Sequence, residues 1–401
     1  MVISINLAST SKIPPQRTKA LYNTFYLFGS CHKLYLILWH KNRKNIGRDN
    51  SRIVPIQNKI NTMEINLVSD TVTKPTQEML RAMFKAEVGD DVYKQDPTVI
   101  ELEDKVAEMF GMEAALFFPS GTMANQTAIK LHTQPGEQLI ADKWAHVYNY
   151  EGGGVSFNSG VSCCLLNGNR GMITAEQVAG SINDPEFYHS PLTSLICVEN
   201  TTNKGGGACY DFEEFRKIRR VCDANNLKFH LDGARIWNAI VATNDNPKDY
   251  GKVFDTISVC LSKGLGAPIG SLLLSDKATI NRALRIRKIF GGGMRQVGYL
   301  AAAGIYALDN NIGRLADDHR RAKELGTVLE KRSWVAKVEP IETNILIFSV
   351  QANINEAVLM EKLKQKGISI SSMGHGKLRI VTHLDYREVM HTYVLETLEK
   401  L

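Results

Sequence analysis

The sequence has little of what marks a disulfide-bonded, zinc-binding or membrane-spanning protein. Its seven cysteines form no Cys-x-x-Cys pair and no Cys/His array with zinc spacing, so we expect free thiols, a reducing compartment and no metal site. Its most apolar stretch, residues 21–40, is interrupted by His32 and Lys33. It therefore falls short of the roughly 18 consecutive apolar residues of a spanning helix, and we expect no membrane association.

Acidic residues are nearly absent from the first 62 positions. This segment carries ten Lys or Arg and only one acid, Asp49, whereas the whole chain has 48 basic and 42 acidic side chains. The remainder therefore carries 38 bases against 41 acids, a balance that gives it no electrostatic reason to bind nucleic acid. We interpret residues 1–62 as a basic extension, either disordered or a leader.

Two interpretations of this extension stay open. Its basic, acid-poor composition is compatible with a mitochondrial transit peptide. Patterned sequence begins only around Met63, which favours a dispensable leader in front of a cytoplasmic protein.

Helix-type and strand-type segments alternate along the chain after Met63. Residues 96–111 predict a helix with Pro97 in its first turn, and residues 115–118 predict a buried strand followed by a turn and a second helix. Short β-rich runs that end in polar residues or glycine follow in EQLIADK, TSLICVEN, LKFHLDGA and TISVCLSKG. This alternation predicts an α/β fold with a mostly parallel central sheet covered by helices on both faces.

The pattern changes after about residue 310. A charged helix, separate strands in VEPIETNILIFSV and KLRIVTH, and a closing amphipathic helix follow. We therefore predict a large domain over residues 63–310 and a small α+β domain over 311–401.

Two predicted strands end in charged residues that are followed by glycine. Asp232 ends the run KFHLD, with Arg235 three positions later, and Lys263 follows TISVCLS. Ligands of open α/β sheets bind where the parallel strands end, so Asp232 and Lys263 are expected to reach one ligand. A lysine there can form a Schiff base with an aldehyde, and a carboxylate can keep the ring nitrogen of a pyridine cofactor protonated.

A phosphate site is expected in PSGTMANQ. Gly121 and Thr122 follow a predicted strand and begin a helix, whose free N–H groups and positive dipole end favour an anion. The alternative is an ordinary helix N-cap by Ser120. The SGT turn, the DGAR motif and the SKG motif in this order together indicate pyridoxal phosphate as the cofactor.

Longer motifs give the sequence a family resemblance. NLVSDTVTKPT, VGDDVY, DPTVIELE, FHLDGAR, CLSKGLGAPIGSLL, GGGMRQVGYLAAAGIYAL and LRIVTHLD resemble segments of the low-specificity L-threonine aldolases, which are fold-type-I pyridoxal-phosphate enzymes. The resemblance runs from about Met63 to the C-terminus. It implies a homotetrameric lyase that cleaves L-threonine and L-allo-threonine to glycine and acetaldehyde by retro-aldol cleavage of the Cα–Cβ bond. Transamination or β-elimination on the same fold is the alternative.

The resemblance also implies roles around the cofactor. Lys263 resembles the Schiff-base lysine, and Asp232 resembles the partner of the pyridine nitrogen. Arg235 is expected to reach the cofactor phenolate oxygen or the substrate carboxylate, with a structural ion pair as the less favoured alternative. His146 resembles the histidine that stacks on the cofactor ring and assists proton movement. Glu151 could orient this histidine, but solvation is its default interpretation.

Further roles concern the substrate and the neighbouring subunit. Ser69 and Arg379 resemble the pair that binds the amino-acid carboxylate. Tyr93 and Arg295 resemble residues through which a neighbouring subunit completes the pocket.

Two positions depart from the family pattern. Val68 replaces the arginine of LRSDT, and Thr202 replaces the histidine of ENTHN. Because side chains alternate along a strand, Val68 is expected to face away from the ligand. Thr202 is expected near the pocket, where it could alter the rate or the preference between threonine diastereomers.

Overall fold

The computed structural model describes residues 64–401, so the predicted extension over residues 1–62 lies outside the described range. The helices are α1 (Gln77–Lys85), α2 (Pro97–Phe110), α3 (Gly121–His132), α4 (His146–Asn149), α5 (Gly154–Ser159), α6 (Ala175–Ala179), α7 (Phe212–Ala224), α8 (Ile236–Thr243), α9 (Pro247–Val253), α10 (Lys277–Ile289), α11 (Gly298–Asn311), α12 (Leu315–Glu330), α13 (Glu356–Gln365) and α14 (Glu388–Glu399). The strands are β1 (Ile65–Asn66), β2 (Ala114–Phe118), β3 (Gln138–Asp142), β4 (Ser162–Leu166), β5 (Thr193–Glu199), β6 (Lys228–Gly233), β7 (Thr256–Cys260), β8 (Ser271–Ser275), β9 (Val335–Val338), β10 (Ile345–Val350), β11 (Ile368–Ser369), β12 (Ser371–Gly374) and β13 (Lys377–Val381).

A seven-stranded sheet lies at the centre of the fold. Its strand order is β2-β8-β7-β6-β5-β3-β4, and every neighbouring pair is parallel except the two that involve β8. Along β2, Phe117 packs into one core cluster, whereas Leu116 and Phe118 pack into another. Successive side chains of a strand point to opposite faces, so both faces of the sheet are covered. The predicted α/β fold with a mostly parallel sheet is confirmed.

Local signals in the sequence explain where α2 begins and ends and where α3 begins. Asp96 caps α2 by accepting from the Val99 N–H, Pro97 occupies its first position, and Gly111 ends it in the left-handed conformation, which glycine adopts without steric cost. Ser120 caps α3, so this helix begins at Gly121. The turn between β2 and α3 is therefore short and fixed.

The C-terminal part contains a second, four-stranded antiparallel sheet with the order β12-β13-β10-β9. Its core includes Leu346 and Phe348 together with residues of α12 and α14. Strand β1 pairs in parallel with β11, and Ile65 and Leu67 lie in the same core. The beginning of the described chain thus packs with the C-terminal part, although its place in the sequence assigned it to the large domain. The proposed boundary near residue 310 falls at the end of α11.

The carboxyl ends of three parallel strands meet at one edge of the central sheet. In register, Glu199 of β5 pairs with Asp232 of β6, and Asp232 pairs with Ser258 of β7. Lys263 follows the end of β7 by three residues. Parallel pairing thus brings together side chains that are far apart in sequence.

Within residues 64–401, no helix has the length and apolar character that crossing a membrane requires.

A buried ion pair fixes α10 against the segment before α2, and it allows a first test of the fold. Arg287 donates to Asp91 and to the Phe117 carbonyl, each at 2.7 Å. Removing Arg287 takes away the close, buried partner of the Asp91 carboxylate and leaves it only the partly exposed Lys94, whose amine lies 3.6 Å away. We expect Arg287→Met to lower the free energy of unfolding by about 3 kcal/mol in urea denaturation.

Arg285→Met is the matched control, because Arg285 is an exposed arginine of the same helix. We expect it to change the free energy of unfolding by less than about 0.5 kcal/mol. Equal losses in both variants would contradict a structural role for the buried pair.

Candidate active site

A cavity of about 310 Å³ opens at this edge of the sheet. Its walls come from the turn before α3, the start of α4, the ends of β6 and β7, and the segment between β7 and β8. The predicted cofactor residues Gly121, Thr122, His146, Asp232 and Lys263 all line it. The structure therefore brings these five residues to one place, although the chain separates the first from the last by more than a hundred positions.

One end of the cavity is suited to an anion. The first N–H groups of α3, at Gly121 and Thr122, have no acceptor within the helix. The Ser271 hydroxyl also lines the cavity, and it is buried without a hydrogen-bond partner among the described residues. Ser120 uses its own hydroxyl to accept from the Met123 N–H, so the predicted N-cap and the predicted anion site coexist. A phosphate would find backbone and hydroxyl donors here.

Asp232 presents an unsatisfied carboxylate oxygen. Its Oδ1 accepts from the Ala234 N–H at 3.0 Å, whereas Oδ2 is buried with no hydrogen-bond partner among the described residues. Buried polar atoms nearly always have a partner, because an unmade hydrogen bond costs the full desolvation of the group. The protonated nitrogen of a pyridine ring is a donor that fits this oxygen.

His146 is held by two carboxylates. Its ring Nδ1 lies 3.0 Å from Glu151 Oε1, and its backbone N–H donates to Glu199 at 3.0 Å. One polar atom each of His146, Glu151 and Asp232 lies within 4.8 Å of the others. Burial alone would lower the pKa of His146, but the Glu151 hydrogen bond and the charges of Asp232 and Glu199 raise it overall. The ring therefore carries a proton more readily than a free histidine does.

Glu151 is not solvated, contrary to its default interpretation. Its side chain is fully buried, and it accepts from Asn125 at 2.9 Å and from Gln126 at 2.7 Å. Both partners belong to α3, so this helix supports the histidine as well as the anion end of the cavity. Neither amide was singled out from the sequence, although both lie in the same PSGTMANQ stretch as the SGT turn.

A third carboxylate lies beside Asp232. Burial and the neighbouring charge of Asp232 raise the pKa of Glu199 to about 7. The Glu199 side chain also accepts from the Asn203 N–H at 2.9 Å, which holds the loop after β5. The ENTTN stretch that contains both residues is part of the family pattern, but no local signal assigns its carboxylate a role.

Arg235 forms a buried ion pair. Its Nε and Nη2 donate to the two carboxylate oxygens of Asp70 at 2.8 and 2.7 Å. Burial alone would raise the pKa of Asp70, but Arg235 outweighs this effect and lowers it to about 2. The less favoured alternative for Arg235 is thus the one observed, and Arg235 is not among the residues that line the cavity. Asp70 was missed, although it stands in the SDT motif.

Ser69 and Arg379 lie near opposite ends of the described chain in sequence. The structure brings Arg379 to the residue before Ser69, because its guanidinium donates to the Val68 carbonyl. Arg379 lies on β13 and donates to the Val68 carbonyl at 3.1 Å and to Asn203 at 2.9 Å. Its Nε is buried without a partner among residues 64–401. The Ser69 hydroxyl accepts from the Thr71 N–H and from the Thr71 hydroxyl. The guanidinium therefore retains an unused donor.

Tyr93 and Arg295 lie together on the surface. The Arg295 guanidinium sits 5.8 Å from the Tyr93 ring and donates to Asp90 at 2.7 Å. Tyr93 is 69% exposed, and neither residue lines the cavity of the single chain.

The two departures from the family pattern lie close to the site but make no contact with the cavity. The Thr202 hydroxyl donates to the Arg170 carbonyl at 2.9 Å. Thr202 is buried and does not line the cavity, so its expected place at the pocket is not observed. Val68 is half-buried, and its carbonyl accepts from Arg379.

Known proteins resemble this chain over most of its length. A family model described as β-eliminating lyase matches residues 66–353. The low-specificity L-threonine aldolase of Escherichia coli (strain K12) is 42% identical over 322 residues, which cover 80% of this chain and 94% of that protein. Low-specificity L-threonine aldolase 1 of Arabidopsis thaliana is 39% identical over 327 residues, covering 80% and 91%.

Solved structures share the fold. The Leishmania major threonine aldolase superposes with a TM-score of 0.72 at 21% identity, over 84% of this chain and 99% of that one. Sphingomonas wittichii serine palmitoyltransferase superposes with a TM-score of 0.66 at 15% identity, over 84% and 86%. These identities support a common fold only, whereas the more similar sequences establish the relationship. The chain therefore belongs to the β-eliminating lyase family and, within it, to the low-specificity L-threonine aldolases.

Proposed function

We propose that the protein is a pyridoxal-phosphate-dependent lyase that cleaves L-threonine, and also L-allo-threonine, to glycine and acetaldehyde. The observation that carries the proposal is the unpartnered, buried Oδ2 of Asp232 in the same cavity as Lys263. A lysine amine and a buried carboxylate in one pocket suit an aldehyde on a pyridine ring. The identity of 42% to an L-threonine aldolase supports the choice of substrate.

The residues of the cavity fit the cofactor at each of its functional groups. Lys263 would bind the aldehyde carbon, and Asp232 would accept from the ring nitrogen. The N-terminus of α3, with the Ser271 hydroxyl, would bind the phosphate. His146 would lie against the ring. When bound, the cofactor supplies an electron-withdrawing ring that takes up the negative charge left on an amino acid when a bond at its Cα breaks.

Arg379 is proposed to hold the substrate carboxylate, with Ser69 as a second donor. Its side chain is fixed by Asn203 and by the Val68 carbonyl, and its unpartnered Nε leaves a donor for a carboxylate. Holding the carboxylate would determine which of the other two bonds that can break at Cα, to hydrogen or to Cβ, is aligned for cleavage. Arg379 and Ser69 would therefore select Cα–Cβ cleavage by position rather than by chemistry. Arg235 would support them by holding Asp70, the residue next to Ser69.

His146 is proposed to take the proton from the substrate hydroxyl. Its Nδ1 already contacts Glu151, so Nε2 is the ring nitrogen available to a ligand in the cavity. Loss of the hydroxyl proton allows the Cβ oxygen to become the carbonyl of acetaldehyde as the Cα–Cβ bond breaks. The same ring would then protonate Cα to give glycine.

We further infer a homotetramer in which Tyr93 and Arg295 complete the site of a neighbouring subunit. Both side chains are more than half exposed and stack on each other at the surface, an arrangement suited to an interface. We also propose a cytoplasmic location, which suits the six free cysteines of the described residues.

The most direct test of the activity is product analysis. We expect the purified protein, supplied with pyridoxal phosphate, to release acetaldehyde and glycine in equal amounts from L-threonine. Lys263→Ala should release neither, whereas Lys277→Ala, at an exposed lysine, should match the wild type. Acetaldehyde is measured by its reduction with alcohol dehydrogenase and NADH, and glycine by chromatography. Formation of 2-oxobutanoate and ammonia instead would reject the aldolase and favour β-elimination.

The role of Asp232 predicts a selective loss of rate. In Asp232→Asn a neutral amide replaces the carboxylate, so the ring nitrogen loses the charge that keeps it protonated. We expect kcat for L-threonine to fall by about 100-fold, while the protein still binds the cofactor. Asp142→Asn is the control, because Asp142 is a buried carboxylate at the end of β3 that does not line the cavity. A wild-type kcat in Asp232→Asn would contradict the assignment.

The role of Arg379 predicts a loss of substrate binding. A lysine keeps the positive charge but cannot reproduce the planar fork of donors. We expect Arg379→Lys to raise KM for L-threonine by about tenfold, equal to about 1.4 kcal/mol of binding free energy, with a smaller change in kcat. Lys377→Arg on the same strand should leave both constants unchanged. An unaltered KM in Arg379→Lys would remove Arg379 from the substrate site.

A further inference from the structure

Buried hydrogen bonds connect His146 to the interior of the central sheet. Glu151 accepts from both His146 and Asn125 through Oε1. The Asn125 oxygen in turn lies 3.1 Å from His230 Nε2 and 2.6 Å from the Ser258 hydroxyl. Glu151, Asn125, His230 and Ser258 are all buried. The support of His146 therefore reaches from the cavity into two strands of the sheet.

The chemistry of Glu151 determines which group donates in each hydrogen bond of this series. A carboxylate only accepts hydrogen bonds, so the amide of Asn125 must turn its NH2 group towards Glu151. Its oxygen then faces His230 and Ser258, and both must donate to it.

The state of His230 agrees with this direction. Burial lowers the pKa of His230 to about 4, so the neutral ring carries one N–H. Its Nε2 donates to Asn125, so Nδ1 carries no hydrogen. It then accepts from the Thr256 hydroxyl at 2.9 Å and makes no hydrogen bond with the Thr256 carbonyl, which lies 3.2 Å away and can only accept. The histidine and the two hydroxyl residues thus lock the orientation of Asn125.

The same argument determines the proton on His146. Glu151 cannot donate, so the contact of 3.0 Å requires the hydrogen to sit on Nδ1 of His146. The other carboxylate oxygen of Glu151, Oε2, accepts from Gln126 at 2.7 Å, so the carboxylate is held through both oxygens. A ring whose Nδ1–H is fixed exchanges protons only at Nε2.

We propose that Glu151 is a positioning residue: it holds the hydrogen of His146 on Nδ1, so that Nε2 takes and returns protons in the cavity, while Asn125 and His230 keep Glu151 in place. This inference rests on the aldolase reaction proposed above, in which His146 moves the proton. The charged groups that face His146 are Glu151, Asp232 and Glu199, and Tyr150 lies 5.6 Å from its ring. Only Glu151 contacts a ring nitrogen among the described residues, so only Glu151 can select the tautomer.

The test is the tautomer of His146 in the variant Glu151→Gln. A glutamine has one oxygen for the donors of His146, Asn125 and Gln126, so its NH2 group must face one of them. We expect magic-angle-spinning 15N NMR of the sedimented, [15N]histidine-labelled holoenzyme to show one Nδ1–H tautomer in the wild type. The variant should show a mixture of both tautomers. The variant His146→Asn identifies the signal.

Kinetics of the same variant connect the tautomer to the reaction. We expect kcat for L-threonine to fall by about 100-fold in Glu151→Gln, with little change in KM, because the proposed carboxylate site consists of Arg379 and Ser69. Glu103→Gln is the matched control. Glu103 is also a buried carboxylate, accepts from the Phe117 N–H at 2.8 Å and does not line the cavity. It should leave both the tautomer and kcat at wild-type values.

Two spectra would overturn the positioning role of Glu151 even if kcat falls. One is a pure Nδ1–H tautomer in Glu151→Gln, and the other is an Nε2–H tautomer in the wild type. If Glu151→Gln does not fold, Glu151→Asp decides the question. It keeps the charge but withdraws the carboxylate from Nδ1, and it should also give mixed tautomers. A wild type that shows the Nδ1–H tautomer but releases no acetaldehyde would reject the aldolase function and leave the positioning role standing.

Discussion

A carboxylate oxygen buried without a donor is costly, and Asp232 Oδ2 is such an oxygen at the end of β6. The penalty of an unsatisfied buried polar group is about 1–3 kcal/mol and larger when the group is charged. The proposed ring nitrogen would remove the penalty, which links binding of the cofactor to the stability of the site.

The other charges of the site are arranged around this carboxylate. Glu199 is its register partner on β5, and the repulsion between them helps to raise the pKa of Glu199 to about 7. The same negative charges raise the pKa of His146. Arg235 is kept out of this group, because Asp70 binds it in a separate buried pair. The site therefore keeps His146, the proposed proton carrier, apart from the structural cation Arg235.

The sequence was sufficient for the parts that depend on local pattern. Alternating helices and apolar strands predicted the parallel sheet, and parallel pairing then required Asp232 and Lys263 to share one edge. The contacts of Arg235 with Asp70 and of β1 with β11 join segments separated by 165 and about 300 positions, so no local pattern could reveal them. Glu151 was misjudged because its burial comes from packing against α3, which its own neighbourhood does not encode.

Reduction of the protein by borohydride after incubation with pyridoxal phosphate, followed by mass mapping of its peptides, tests the central claim most directly. The reagent converts a Schiff base into a stable secondary amine at the lysine that formed it. A lysine in the same cavity as a buried carboxylate should react alone, so we expect a single pyridoxyl group on the peptide that contains Lys263. Modification of a different lysine, or none at all, would contradict the assignment of the site.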